Sequence, residues 1–106
     1  MSRDGTDASA KACVSAQVID HPARRRYELA LEGGTAFIDY QRSGRRVLLM
    51  HAEVPPALRR QGIGARLTAG ALELVRAHGE CVEARCAYVA RFIARNAQYQ
   101  DLLARP

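Results

Sequence analysis

The hydrophobic run from Val47 to Val54 ends at two prolines, Pro55 and Pro56, and its junction with the next segment constrains the chain more than any other feature. A basic, glycine-containing loop, Ala57–Leu58–Arg59–Arg60–Gln61–Gly62–Ile63–Gly64, comes directly after the prolines. Beyond it, Ile63, Leu67, Ala71, Leu74 and Val75 repeat at helical spacing, which predicts a helix from about Gly62 to His78. Gly79 stands where a helix C-cap belongs. Strand, glycine loop and helix start together make an anion cradle. The first turn of a helix leaves backbone N–H groups unpaired and carries partial positive charge. Glycine lets that backbone approach a phosphate closely. The ligand chemistry implied is a phosphate or diphosphate.

The residues before this unit predict an antiparallel meander. Val14–Ile19 reads as a first strand, and Asp20–His21–Pro22 as a turn. Arg26–Leu31 alternates with Tyr27, Leu29 and Leu31 on one face, and Gly33–Gly34 marks a hairpin. Thr35–Tyr40 alternates again, and Ser43–Gly44 turns the chain into the run at Val47. After the long helix, Val82–Cys86 reads as a short strand, Tyr88–Arg95 as a short helix, and Ala97–Ala104 as one or two helical turns. The fourth strand, the helix and the fifth strand form a β-α-β unit, whose right-handed crossover makes the two strands parallel. The fold class is therefore α/β (α+β). Ligands on such sheets bind beyond the carboxyl ends of the strands. This gathers Glu53–Val54, the Gly62–Gly64 loop and Cys86 around one crevice.

With 106 residues the chain suits one domain, taken as 13–106 behind a flexible tail over 1–12. The N-terminal residues have no apolar core of the kind a secretory signal needs, so a cytoplasmic location is expected. No stretch is apolar for the roughly 20 residues of a membrane span. The net charge is 16 − 11 = +5, and Lys11 is the one lysine among the basic residues. An arginine-rich surface suits anionic ligands, although most such arginines are simply solvated. Arg24–Arg25–Arg26 could read as a nucleic-acid patch, but few aromatics interleave with it and a solvated surface is the better reading; the 3′-phosphate of a cofactor is a weaker option. Cys13, Cys81 and Cys86 are an odd count without a C-x-x-C pair or histidines at zinc spacing, so neither a disulfide framework nor a metal site is expected.

The loop is not a P-loop, since it lacks Gly-Lys-Ser/Thr, and not the dinucleotide fingerprint, since Leu67 stands at the third glycine position. Arg59-x-x-Gly62-x-Gly64 resembles the acyl-CoA pyrophosphate loop of the GNAT superfamily of N-acetyltransferases. HAEVPPALRRQGIGARL and then CAYVARFIARNAQY are similar to the minimal, single-domain GNAT-like subfamily, over roughly residues 14–103. The resemblance implies a GNAT-like fold, acetyl-CoA as cosubstrate and an amine acceptor, a protein lysine or a small amine. It implies contacts from Glu53–Val54 to the pantetheine arm, and backbone N–H groups of Arg60, Gln61, Gly62, Ile63, Gly64 and Ala65 on the diphosphate, with Arg59 beside them. Asn96 stands where the subfamily often has histidine and joins the cofactor-binding set.

Strict alternation would put Val47, Leu49, His51 and Glu53 on one strand face and Leu48, Met50, Ala52 and Val54 on the other. Acetyl transfer needs the amine as its free base, and a histidine or a carboxylate can take the proton. His51 and Glu53 are the candidates; by residue type alone they equally fit a hydrogen-bonded core histidine and a solvated strand-end glutamate. The resemblance has a histidine at the place of His51. It also has a cysteine at the place of Cys86, just before a helix, where thiolate is favoured. Cys86 could carry the acetyl group or only shape the acceptor site. The tyrosine acid common in GNAT enzymes is missing, because Phe92–Ile93 occupies its stretch. Tyr88 and Tyr99 are poorly placed as substitutes. The chain lacks the additional N-terminal helices of full-size relatives, which implies an open acceptor site or one completed by a partner, with a second copy of the chain one candidate. Two other classes stand beside the enzyme: an acyl-CoA-binding module with little turnover, and a basic nucleic-acid or partner-binding domain.

Overall fold

The computed structural model describes residues 17–105. The expected tail over 1–12, Cys13 and the start of the strand expected from Val14 lie outside them. Five strands occur in the anticipated order: β1 (Val18–His21), β2 (Arg26–Leu31), β3 (Gly34–Ser43), β4 (Arg46–Glu53) and β5 (Cys81–Ala84). They form one sheet in the order β1-β2-β3-β4-β5. The first three pairings are antiparallel, and β4 with β5 is parallel. Helix α1 (Ile63–Ala77) makes the crossover, α2 (Ala87–Arg95) comes after β5, and a 3-10 segment (Ala97–Leu102) ends the ordered elements. This is the α+β meander-plus-crossover fold that the residue pattern implies. β3 runs three residues past Tyr40, because Gln41, Arg42 and Ser43 keep backbone pairing with β4 although their polar side chains end the apolar alternation.

The apolar faces close on one another. Tyr27, Leu29, Ala36, Ile38, Tyr40, Val47 and Leu49 from the sheet are buried together with Leu67, Ala71, Leu72 and Val75 of α1. Helix α1 lies so close to β1 that a methyl on Gly70 would come within 2.4 Å of Val18.

β4 departs from simple alternation. Asp39 pairs with His51, but its neighbour Tyr40 pairs with Leu49, leaving Met50 as an extra residue on β4. This is a β-bulge. Cross-strand partners share a face, so Leu49 goes with Tyr40 into the core while His51 goes with Asp39 to the other side. His51 and Glu53 are thus not on the face of Val47 and Leu49, as strict alternation would have it. The side-chain burial agrees: Val47 and Leu49 are fully buried, whereas His51 is 60% and Glu53 54% exposed.

Candidate acyl-transfer site

The same bulge marks where the two parallel strands part. Their pairing runs from Arg46 and Cys81 to Leu49 and Ala84. The Leu49 carbonyl then accepts the N–H groups of both Arg85 (2.9 Å) and Cys86 (3.0 Å). Beyond it β4 continues to Glu53, while the other chain segment turns into α2. The edge of β4 after Leu49 has no β5 residue opposite it, and its polar backbone groups need other partners.

The loop after β4 is held by its own residues. Pro56–Leu58 form a 3-10 turn, and Leu58 anchors it in the core. The Arg59 Nε donates to the Val54 carbonyl at 3.1 Å, and the Gln61 amide donates to Ala57 at 3.3 Å. Arg60 (φ 67°) and Gly62 (φ 75°) both take left-handed backbone and steer the chain into α1. For Arg60 this conformation costs about 1–2 kcal/mol, which the rest of the loop must offset. The first helical bond runs from Arg66 N–H to the Gly62 carbonyl, leaving the amides of Ile63, Gly64 and Ala65 outside the helical ladder. Gly62 has no side chain to cap them, and the first turn holds no acidic residue. The positive end of α1 is left without a protein counter-charge.

Two depressions flank this helix start. One, of about 260 Å³, is lined by Val54, Leu58, Arg59, Arg60, Gly62, Ile63, Gly64 and Tyr88. The other, of about 490 Å³, is lined by Ala65, Tyr88, Arg91, Phe92, Arg95 and Asn96. Tyr88 is their shared wall. A methyl group on Gly64 would lie 2.8 Å from the Tyr88 hydroxyl oxygen, so glycine there lets the tip of the Tyr88 side chain lie over the helix start. At Gly62, nothing crowds the site and the positive φ is the reason.

The expected cofactor-binding residues therefore fall into three groups. Val54, Arg59, Arg60, Gly62, Ile63 and Gly64 meet in the loop depression; Ala65 and Asn96 line the α2 depression; Gln61 folds back on its own loop. His51 and Glu53 pair on the outer sheet face, with Nε2 and Oε1 3.3 Å apart. Cys86 is the residue before α2, half-buried against the core, and neither it nor His51 nor Glu53 lines either depression. Asn96 spends its amide on the Phe92 carbonyl at 2.7 Å, which closes the end of α2. The arginine triplet lies elsewhere: Arg24 reaches Glu28, and Arg26 pairs with Asp39 and stacks on Phe37 at 3.8 Å. Sequence reasoning missed Arg91 and Arg95, and it undervalued Tyr88. The spacing 88, 91, 95 on one helix face was the available signal.

A sequence model of GCN5-related N-acetyltransferases matches residues 26–102. The chain belongs to that family. Among its relatives is Protein NATD1 of Bos taurus, 33% identical over 82 residues, which are 74% of this chain and 73% of that protein. A GCN5-like protein from Staphylococcus aureus, solved in solution by NMR, superposes with a TM-score of 0.65 over 84% of this chain and 88% of its own, at 18% identity. That likeness is one of fold. Acetyl transfer is the general activity of the GCN5-related family. Among the described residues no helix is long and apolar enough to cross a membrane.

Proposed function

We propose that the protein is an acetyl-CoA-dependent N-acetyltransferase acting on an amine, either a protein lysine or a small molecule. The observation that carries this reading is the uncapped start of α1 facing Tyr88, on the loop that follows the part of β4 left unpaired by β5. The free amides of Ile63, Gly64 and Ala65, with Arg59 and Arg60 beside them, fit a diphosphate. The edge of β4 up to Glu53, which has no β5 residue opposite it, and the backbone of Val54 that follows fit the amide groups of a pantetheine arm. Asn96 lines the remainder of the groove. Acetyl-CoA supplies an acyl group already activated as a thioester.

His51 is the general base of this reading and Glu53 its orienting partner. With the Nε2 proton donated to the Glu53 carboxylate, Nδ1 keeps the lone pair that takes a proton from the amine. A strand N–H near Val54 stabilises negative charge developing on the acyl oxygen. Cys86 flanks the acyl position and shapes it.

A second reading, an acyl-CoA-binding module without turnover, draws on one observation. Ile93 is buried and Phe92 stacks on Tyr99, so the stretch where relatives carry a tyrosine acid has none. Thermal unfolding with acetyl-CoA, combined with amine-acetylation assays, separates the readings. At ~100 times its dissociation constant the ligand adds about 2.7 kcal/mol. Stabilisation with acetyl transfer supports the enzyme; stabilisation without transfer to any amine tested supports the binding module; no stabilisation overturns both. Intact mass after quenching reports the chemistry of Cys86. An acetyl adduct lost in Cys86→Ala makes the cysteine a carrier, and its absence supports direct transfer.

A further inference from the structure

Among the described residues Arg25, Arg45, Arg66 and Arg105 have no carboxylate partner and lie outside the two depressions; the other arginines divide by their surroundings. Arg24, Arg26, Arg42, Arg46, Arg76 and Arg85 each pair with a carboxylate. Arg59 and Arg60 in the loop depression, and Arg91 and Arg95 in the α2 depression, have no carboxylate partner among the described residues. Four uncompensated guanidinium groups therefore line two adjoining cavities. Tyr88 separates them two and two. Like charges are not gathered along a groove for stability, because they repel. Their arrangement suits an elongated anion with charge on both sides of the tyrosine.

We propose that the α2 depression recognises the 3′-phosphate of the adenosine end of the coenzyme, through Arg91 and Arg95. This rests on the acetyl-CoA reading above and names the part of that ligand the α2 side takes. Arg91 and Arg95 are four residues apart, so they project from neighbouring turns on the same side of α2. Two guanidinium forks at that spacing can engage a terminal phosphate. The 490 Å³ depression between them and the helix start also contains aromatic surface from Tyr88 and Phe92, against which a purine can lie. The loop depression is smaller and ends at the β4 edge, so it suits the pantetheine side. Neither Arg91 nor Arg95 touches the reacting end; both act on affinity and on the choice between nucleotide forms.

Titration calorimetry of the full chain with coenzyme A and with 3′-dephospho-coenzyme A tests the assignment. The native protein should bind coenzyme A about tenfold or more tightly, the scale of one charge-assisted contact, and the gap should shrink as salt is raised. R91Q/R95Q, which stays hydrogen-bonding and solvent-exposed, should lose the gap by weakening on coenzyme A alone, with dephospho-coenzyme A bound as before. Y88F, measured in parallel, should keep the gap. Equal affinity of the native protein for the two ligands overturns this assignment and leaves the acetyl-CoA reading standing. A gap that survives in R91Q/R95Q likewise overturns it. Binding of neither ligand overturns the acetyl-CoA reading and the assignment with it.

Discussion

His51 and Glu53 are two positions apart on β4 and lie side by side only because the strand is regular beyond Met50. Their pair stands on a sheet face that α1 leaves uncovered, with Asp39 opposite His51 and Phe37 opposite Glu53. An amine acceptor reaching that face meets the imidazole without displacing core residues. His51→Ala should lower kcat by about 10²–10⁴-fold, the usual contribution of a general base. Its affinity for acetyl-CoA should stay within about twofold of native, because the residue does not line the cofactor depressions. Glu53→Gln keeps a hydrogen-bond acceptor but loses the charge, and a smaller loss of about tenfold is expected in a steady-state assay. Native-like turnover in His51→Ala would remove the histidine from the chemistry. His51 and Glu53 could be picked as candidates from residue type and position. Their shared face was also readable. What the alternation misassigned was which face, since an extra residue in a strand leaves no mark in hydrophobic pattern when it is itself apolar, as Met50 is.

Helix α1 is positioned by two glycines that a periodicity pattern can only register as weaknesses. Each costs about 1 kcal/mol of helix propensity relative to alanine. Gly70 admits Val18 of β1 at one point along the helix, and Gly64 admits Tyr88 of α2 near its start. The helix is thereby drawn onto the sheet at Gly70, while the Tyr88 side chain lies over its start at Gly64. A methyl at Gly70 would meet Val18 at 2.4 and 2.7 Å, and valine is stiff about χ1. Gly70→Ala should therefore destabilise the fold by about 1–3 kcal/mol in urea unfolding. Adding Val18→Ala should recover most of that loss, since the two changes act at one contact. An additive double variant would show that the close approach is not what the glycine serves.

The chain closes on itself at its C-terminal end. Arg76 of α1 holds Asp101 through two contacts of 2.9 and 3.0 Å and also donates to the Gln98 carbonyl. Ala104 then donates to the Val82 carbonyl at 2.7 Å, adding a parallel rung to the outer edge of β5. This closure covers the edge of a strand that would otherwise offer unpaired backbone to another chain. The Arg76 guanidinium holds the Asp101 carboxyl below the usual aspartate range. A carboxyl depressed in the folded state stabilises it fully above its unfolded-state value, and that contribution is lost as the pH falls through the folded value. Hydrogen exchange should accordingly show the Ala104 amide losing protection on acidification below the ordinary aspartate range, ahead of the β3–β4 amides. Asp101→Asn should expose that amide already at neutral pH and remove the acid dependence. Because Asp101 is exposed, added salt should weaken the native clamp as well.

Periodicity, proline and glycine act over a few residues, so the chain order alone specified the meander, the crossover helix, the proline stop after Val54 and the glycine loop before the helix. The resemblance carried by Arg59-x-x-Gly62-x-Gly64 and the segment after Cys86 led to the same family as the matched residues 26–102. Strand register, by contrast, is a property of pairs of strands. It sent His51 and Glu53 to the outer face, and no single strand encodes it. Contacts between α1 and α2 turned Gly64 and Tyr88 into one feature and divided the groove in two. The fold held Arg24 and Arg26 on carboxylates away from the groove, and position on the loop and on α2 brought Arg59, Arg60, Arg91 and Arg95 to line it. Each of these depends on which side chains meet after the chain has folded, and the distance along the sequence does not report that.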